Sequence, residues 1–357
     1  MDMNKTEKLI KEQNETLKNE SLQYYFPSDI SKGLYLEKNT NYLERIAESS
    51  KDLEEIIYAF NNSSTTYLTY YIYSELILKD KELINNNFAI SAMYGILIIQ
   101  LANELKNIDI EINQNNLALY FSQSILCNWE DDTKSLFEII KLNLNKKDDS
   151  IILDNDILNI NLDFILNLYS KMTNQDVLNK DTNKLFTLPV YNQVLDKCFS
   201  KDLKEVDLLI NLMCEAHLEF IEETEIYSSF NIKLFTYEIL VWLNLRKRQG
   251  YENPKEFSHP LINYNINQIY KIKNSNKPYN MPYGIVLLNK LKSKYQNLNI
   301  DESFFYEEER KQKMESIQAE VIKAQRNQEL NHIICQQNHL IQGGTIELRQ
   351  GYIMEEK

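Results

Sequence analysis

His332, Cys335 and His339 stand three and four residues apart, so on a helix they share one face. Imidazole and thiolate together suit zinc, and the four-residue spacing of Cys335 and His339 lets two side chains converge on one ion. His332 and His339 would lie roughly 10 Å apart along the axis, too far to share that ion unaided. The competing reading is a neutral polar stripe facing another helix, and no metal or cofactor is assigned. Cys214 and His217 are also three apart, the spacing of a thiol nucleophile and its base. Catalytic thiols are activated by helix N-termini or nearby cations. Here the neighbours are Glu215 and Glu219 and the position is mid-helix. The thiol is expected to stay protonated, the pair to be structural, and no catalytic residue is assigned.

Carboxylates cluster at Glu130–Asp131–Asp132 and Asp148–Asp149, but without the DDxxD, His–Asp or HExxH spacings that hold catalytic metals on helices. They read as helix caps or solvated faces. Glu215, Glu219 and Glu222 follow i, i+4, i+7, with Glu223 and Glu225 beside them. This acidic ladder slightly opposes its own helix by like-charge repulsion. It reads either as plain surface or as a face for the basic side chains of a partner. Tyr227, Phe230 and Tyr237 just downstream are available as aromatic anchors of an interface or as core.

Glycine and proline are almost absent from the elements that must position these groups. Gly95 is the single glycine between Leu34 and Gln249, and Pro189 the single proline between Ser28 and Asn253. Phosphate-cradling loops need glycines so that backbone N–H groups can approach the anion. The chain has no GxxxxGK[ST], GxGxxG or GxSxG pattern. Loop-borne nucleotide and acyl-transfer chemistry is therefore not expected.

The 357 residues are 43% hydrophobic and 25% charged, the balance of a globular chain with an ample core. A formal net charge of −13 argues against a phosphate-backbone binder and is compatible with a basic partner. Cys127, Cys198, Cys214 and Cys335 lie far apart with no CxxC pair, as for reduced thiols in a cytoplasm. The polar start, with Asp2, Asn4, Lys5 and Glu7, does not read as a signal peptide. The most apolar stretch, 88–102, is expected to be a buried helix too short to span a bilayer.

Periodicity predicts an all-α fold, an irregular multi-helix bundle or solenoid-like stack of antiparallel helices. Residues 1–33 form a polar N-terminal segment. A first helical block, 34–150, contains helices at 41–60, 65–78, 88–105, 117–127 and 132–144. Asn85–Asn86–Asn87 is placed to cap the third of these, and Asp131 or Asp132 the last. The alternation of Ile108, Ile110 and Ile112 with Asp109 and Glu111 is assigned to a loop. A second block, 151–300, contains helices at 157–169, 189–199, 203–226 and 228–248, then shorter ones at 261–272 and 283–295. Gly250 should supply a left-handed cap, with Arg246, Lys247 and Arg248 favouring the dipole of the turn before it. A long polar helix, 301–341, and a short tail complete the chain.

The segment 216–262 resembles helical immunity proteins of bacterial polymorphic-toxin and type VI secretion systems. The resembling residues are His217-Leu218-Glu219-Phe220 at a helix end, the apolar run 234–245, the stop at Arg248–Gly250 and the turn Ser258-His259-Pro260-Leu261. They are similar to the C-terminal region of the Immunity protein 49 family. The Phe235, Tyr237 and Glu238 helix before a His-Pro turn also resembles the PoNi-type DNase-immunity family. The likeness covers about an eighth of the chain, and its motifs look like fold determinants; Trp129 after Cys127-Asn128 fits loosely, and 301–357 is extra to both patterns. The resemblance implies a non-enzymatic, cytoplasmic binder that neutralises one toxin, a basic nuclease domain being the expected class, by covering or distorting its active site. Glu215, Glu219, Glu222, Glu223, Tyr227 and Tyr237 are the candidate toxin-binding residues. No direct contact with nucleic acid or membrane is expected. The alternatives are a helical scaffold or adaptor, and an all-α metal-dependent enzyme centred on His332, Cys335 and His339.

Overall fold

Serine and threonine side chains carry the first long helix through a stretch that reads as a break. In this computed structural model, α1 runs unbroken over Leu53–Tyr73, although Asn61-Asn62-Ser63-Ser64 separates the two helices expected there. Ser63 Oγ donates to the Ala59 carbonyl (2.8 Å), Thr65 Oγ1 to Asn61 (3.1 Å) and Thr69 Oγ1 to Thr65 (2.9 Å). Each hydroxyl is satisfied one turn back, so it does not compete for the helical N–H groups. The structure describes residues 6–12, 15, 45–46, 53–73, 75, 81–105, 112–144, 159–175, 188–223, 234–271, 281 and 284–300. The expected C-terminal helix, with His332, Cys335 and His339, lies outside them.

After α1 come α2 (Lys81–Glu104), α3 (Gln114–Leu126), α4 (Glu130–Leu144), α5 (Ile160–Thr173), α6 (Pro189–Lys197), α7 (Leu203–Glu223) and α8 (Tyr237–Arg248). The short α9 (Pro260–Asn263), a 3₁₀ turn (Asn265–Lys271) and α10 (Gly284–Lys294) follow. The fold is all-α, and no strand occurs among the described residues. Met1–Ile300 forms one compact unit and Asp301–Lys357 another. Within the first unit α3 packs on α2 and α4, and also on α5 and α8. Helices from both sides of residue 150 therefore share one core.

Several helix ends follow the sequence signals. Asn113 caps α3 by accepting the Asn115 N–H, and Asn159 caps α5 by accepting from Asn161 and Leu162. Pro189 opens α6 at a position where its missing N–H costs nothing. Gly250 takes the left-handed conformation (φ 78°) that closes α8, with the Tyr251 N–H on the Arg246 carbonyl. Others differ. Asn85, Asn86 and Asn87 lie inside α2 rather than at its start, because the helix begins at Lys81. Asp131 and Asp132 sit in the first turn of α4, where they complement its dipole instead of capping it. The expected helix at 228–248 is described only from Tyr237 on. The expected 261–272 helix divides into α9 and the 3₁₀ turn.

Small residues let α1, α2 and α3 approach closely. Ser64 Oγ donates to the Ser91 carbonyl and Ser91 Oγ to the Ser64 carbonyl (2.9 and 2.8 Å), a reciprocal clasp joining α1 to α2. Gln123 Nε2 on α3 donates to Ser91 Oγ at 2.9 Å. Gly95 lies against the Tyr120 ring, and a Cβ there would fall 2.4 Å from Cδ1. The span Ile84–Glu104 is longer than the apolar helix expected, and is long and apolar enough to cross a membrane by composition. It is instead the buried spine of this bundle, its most apolar part 83% buried.

Gly95→Ala sets the helix-propensity gain of about 1 kcal/mol against an overpacking cost of about 1–3 kcal/mol. The clash is with the rigid base of a ring, so overpacking should win. Urea unfolding should show net destabilisation, most of it relieved when Tyr120→Leu is added.

Candidate functional site

Helix α7 turns one face inward and leaves the other open. Val206, Leu209, Ile210, Met213, Cys214, His217 and Leu218 are buried, recurring at three and four residues. The opposite face carries Leu208 (58% exposed) and Leu212 (41%), then Glu215 (side chain 42% exposed) and the exposed Glu219. Two leucines a turn apart in water, followed by two carboxylates, are the most conspicuous surface feature of the described residues.

The inner face meets α8, which is buried from Tyr237 to Arg246 on all sides. His217 Nδ1 donates to Glu238 Oε1 at 2.7 Å, with both side chains fully enclosed. The other carboxylate oxygen, Oε2, has no hydrogen-bond partner among the described residues. The sulfur of Cys214 is shut in beside this pair. Burial drives its pKa well up, and the charges of Glu238 and Glu215 push the same way. A thiol so placed remains protonated and cannot act as a nucleophile. Cys-His-Glu thus resembles a catalytic constellation in residue type but lacks both an activated thiol and an opening.

Nearby, Asn161 joins two tyrosines. The Tyr191 hydroxyl donates to Asn161 Oδ1 (2.8 Å) while Asn161 Nδ2 donates to the Tyr237 hydroxyl (3.1 Å). Burial raises the Tyr191 pKa well above the usual phenol value, reinforced by Glu238 and Tyr237. Tyr237 is 2% exposed. It is not a surface anchor for a toxin: its ring fills the core and its hydroxyl finds a partner there.

The turn before α9 fixes the open face in position. Ser258 N–H donates to Asp207 Oδ1 at 3.1 Å, and its hydroxyl donates to Oδ2. His259 caps α9, Nδ1 accepting the Leu261 N–H at 3.1 Å. That bond assigns the proton to Nε2, which faces Glu215 Oε1 at 3.4 Å. Burial lowers the His259 pKa, partly opposed by Glu215. Asn267 secures the same region by accepting the Thr236 N–H and donating to the Leu234 and Leu261 carbonyls. The Ser-His-Pro turn is therefore a docking element for α7.

An open groove of about 990 Å³ adjoins the N-terminal end of α7, lined by Lys204, Asp207, Lys247, Tyr251, Lys255 and Glu256 among others. Arg246 is fully buried, and no ion pair to a carboxylate is seen for it among the described residues. Its N–H groups donate to the carbonyls of Cys198, Ser200 and Glu252 and to Asn253 Oδ1, at 2.7–3.0 Å. The guanidinium also lies 5.6 Å from the rings of Trp242 and Tyr251. Arg246 is thus a structural clamp, whereas Arg248 reaches Glu130 at 2.9 Å.

No family model, curated protein or solved structure matches this chain.

Of the residues expected to bind a toxin, Glu215 and Glu219 share the open face of α7. The side chains of Glu222 and Glu223 lie outside the described residues, as do Tyr227 and Phe230. Leu208 and Leu212 are hidden by a largely apolar run, Leu208-Leu209-Ile210-Asn211-Leu212-Met213, interrupted only by Asn211. Only the buried three-and-four pattern shows that these two fall off the inner stripe. Nothing local marks Glu238 as the partner of His217.

Glu238→Ala leaves His217 buried without its carboxylate, a change that costs about 3–5 kcal/mol. Chemical denaturation at neutral pH should show a loss of that order, and an unchanged midpoint would show that the pair carries no stability. His259 titrates in the opposite sense to a salt-bridged histidine. Below its ordinary pKa of 6.5 the unfolded imidazole takes up a proton before the folded one does, so stability should fall as pH drops from there. Denaturation at pH about 7.5 and about 5.5 should show this slope reduced in His259→Asn, which keeps an N-cap acceptor.

Proposed function

We propose that this protein is an immunity protein: it binds a cognate antibacterial toxin, a nuclease with a basic cleft, and neutralises it without chemistry of its own. The open face of α7 carries this reading, since Leu208 and Leu212 offer apolar contact beside Glu215 and Glu219. Desolvated apolar groups supply affinity at protein interfaces, while flanking charge sets encounter rate and partner choice. A nuclease cleft is cationic because it must hold phosphates, so a partner of net charge −13 is steered to it. The charge and the exposed leucines support the reading independently of the likeness in 216–262.

The inward chemistry is consistent with a binding role. Cys127, Cys198 and Cys214 are buried, and so are His217 and His259. What the first unit presents to solvent on α7 is shape, apolar surface and charge.

Co-expression with the product of the adjacent upstream gene tests the proposal. A stable complex and restored growth are expected, and Glu219→Lys should slow association, most strongly at low salt. Growth arrest despite abundant soluble protein would refute it.

A further inference from the structure

The open stripe of α7 has a charge order that fits its own reverse. Lys201 stands two residues before the helix, and along α7 itself follow Lys204, Leu208, Leu212, Glu215 and Glu219. The lysines are exposed at the N-terminal end, the leucines stand at the middle, and the carboxylates face solvent at the other end. From Lys204 on, steps of four, four, three and four residues keep these side chains on one side of an α-helix.

From this we infer that α7 is a self-association surface: two copies of the chain pair through it, antiparallel, about a two-fold axis at the level of Ile210. In that arrangement Leu208 meets Leu212 of the partner subunit, Lys204 meets Glu215 of the partner subunit, and Lys201 meets Glu219 of the partner subunit. A two-fold operation repeats every contact, so α7 and the residues leading into it form two apolar pairs and four ion pairs. Parallel pairing would place lysine on lysine and glutamate on glutamate.

The surrounding groups favour this pairing. The carboxylates at the basic end are already engaged: Asp202 accepts the Lys204 N–H at 2.9 Å, and Glu205 is held by Lys197 and Ser200. Asp207 is occupied by Ser258. At the acidic end His259 holds Glu215 from below, leaving its carboxylate partly open to the face. Antiparallel helices also align their macrodipoles favourably.

Contact through one helix per copy lies at the small end of stable interfaces. The dimer is therefore weak, weakened further by salt, and in exchange with the monomer. Pairing covers Glu215 and Glu219, so a toxin that uses these carboxylates competes with the second copy. The inference does not rest on the toxin reading, because the purified chain alone tests it.

Sedimentation velocity of the full chain from about 1 to 300 µM should show a concentration-dependent dimer, in the micromolar range expected of a small interface. Leu208→Asp should raise the dissociation constant by at least about tenfold. Glu219→Lys and Lys201→Glu should each do likewise, since each change acts twice across the axis. Combining Lys201→Glu with Glu219→Lys exchanges the charges and should restore association. All three positions are exposed, and unchanged circular dichroism melts would show that the variants remain folded. A wild-type monomer throughout the range would overturn the inference. So would a dimer untouched by these variants, or a double exchange that fails to recover it.

Discussion

Two ionic side chains buried in α8 set most of the geometry around them. A helix enclosed on every side has no water to solvate Glu238 or Arg246, so each must find partners in the protein. Glu238 takes His217, which fixes the rotation of α7 about its axis. Arg246 takes carbonyls from the link between α6 and α7 and from the loop beyond α8. With α7 held at one end by the arginine clamp and along its length by the histidine pair, its outer stripe must face outward.

The same requirement explains why groups that resemble catalytic machinery are silent. Cys214, His217 and Glu238 gather because each needs a polar neighbour in an apolar interior. Enclosure pushes the thiol away from its reactive form. Activated nucleophiles need cations or helix N-termini and a route to substrate; this cluster has carboxylates and a sealed wall. Binding is what the outer surface of α7 can do, and the proposed basic toxin and the proposed second copy would address the same chemistry there.

Much of the architecture was legible from residue pattern. The scarcity of glycine and proline, the apolar periodicity and the Gly250 stop led to an all-α fold, and Gly250 ends α8 as expected, whereas the caps Asn113 and Asn159 were not singled out from the sequence. The failures share a cause. Asn61 to Ser64 and Asn85 to Asn87 look like breaks because their side chains compete with the backbone locally. In the structure Ser63 bonds back one turn, Ser64 bonds across to Ser91, and helix packing carries the chain through both stretches. Tyr237 shows the other limit, since an aromatic residue looks the same as an anchor or as core until its hydroxyl partner is known.

The sequence by itself determined which segments coil, where several of them end, and that the chain carries a strong negative charge. These are short-range or additive properties, set by side chains within a few residues or by their sum. Tertiary structure alone decided that His217 belongs to Glu238, that Arg246 is a clamp, and that Leu208 and Leu212 remain in water. Each of those depends on which helix lies opposite, and burial acts between elements that local periodicity cannot pair.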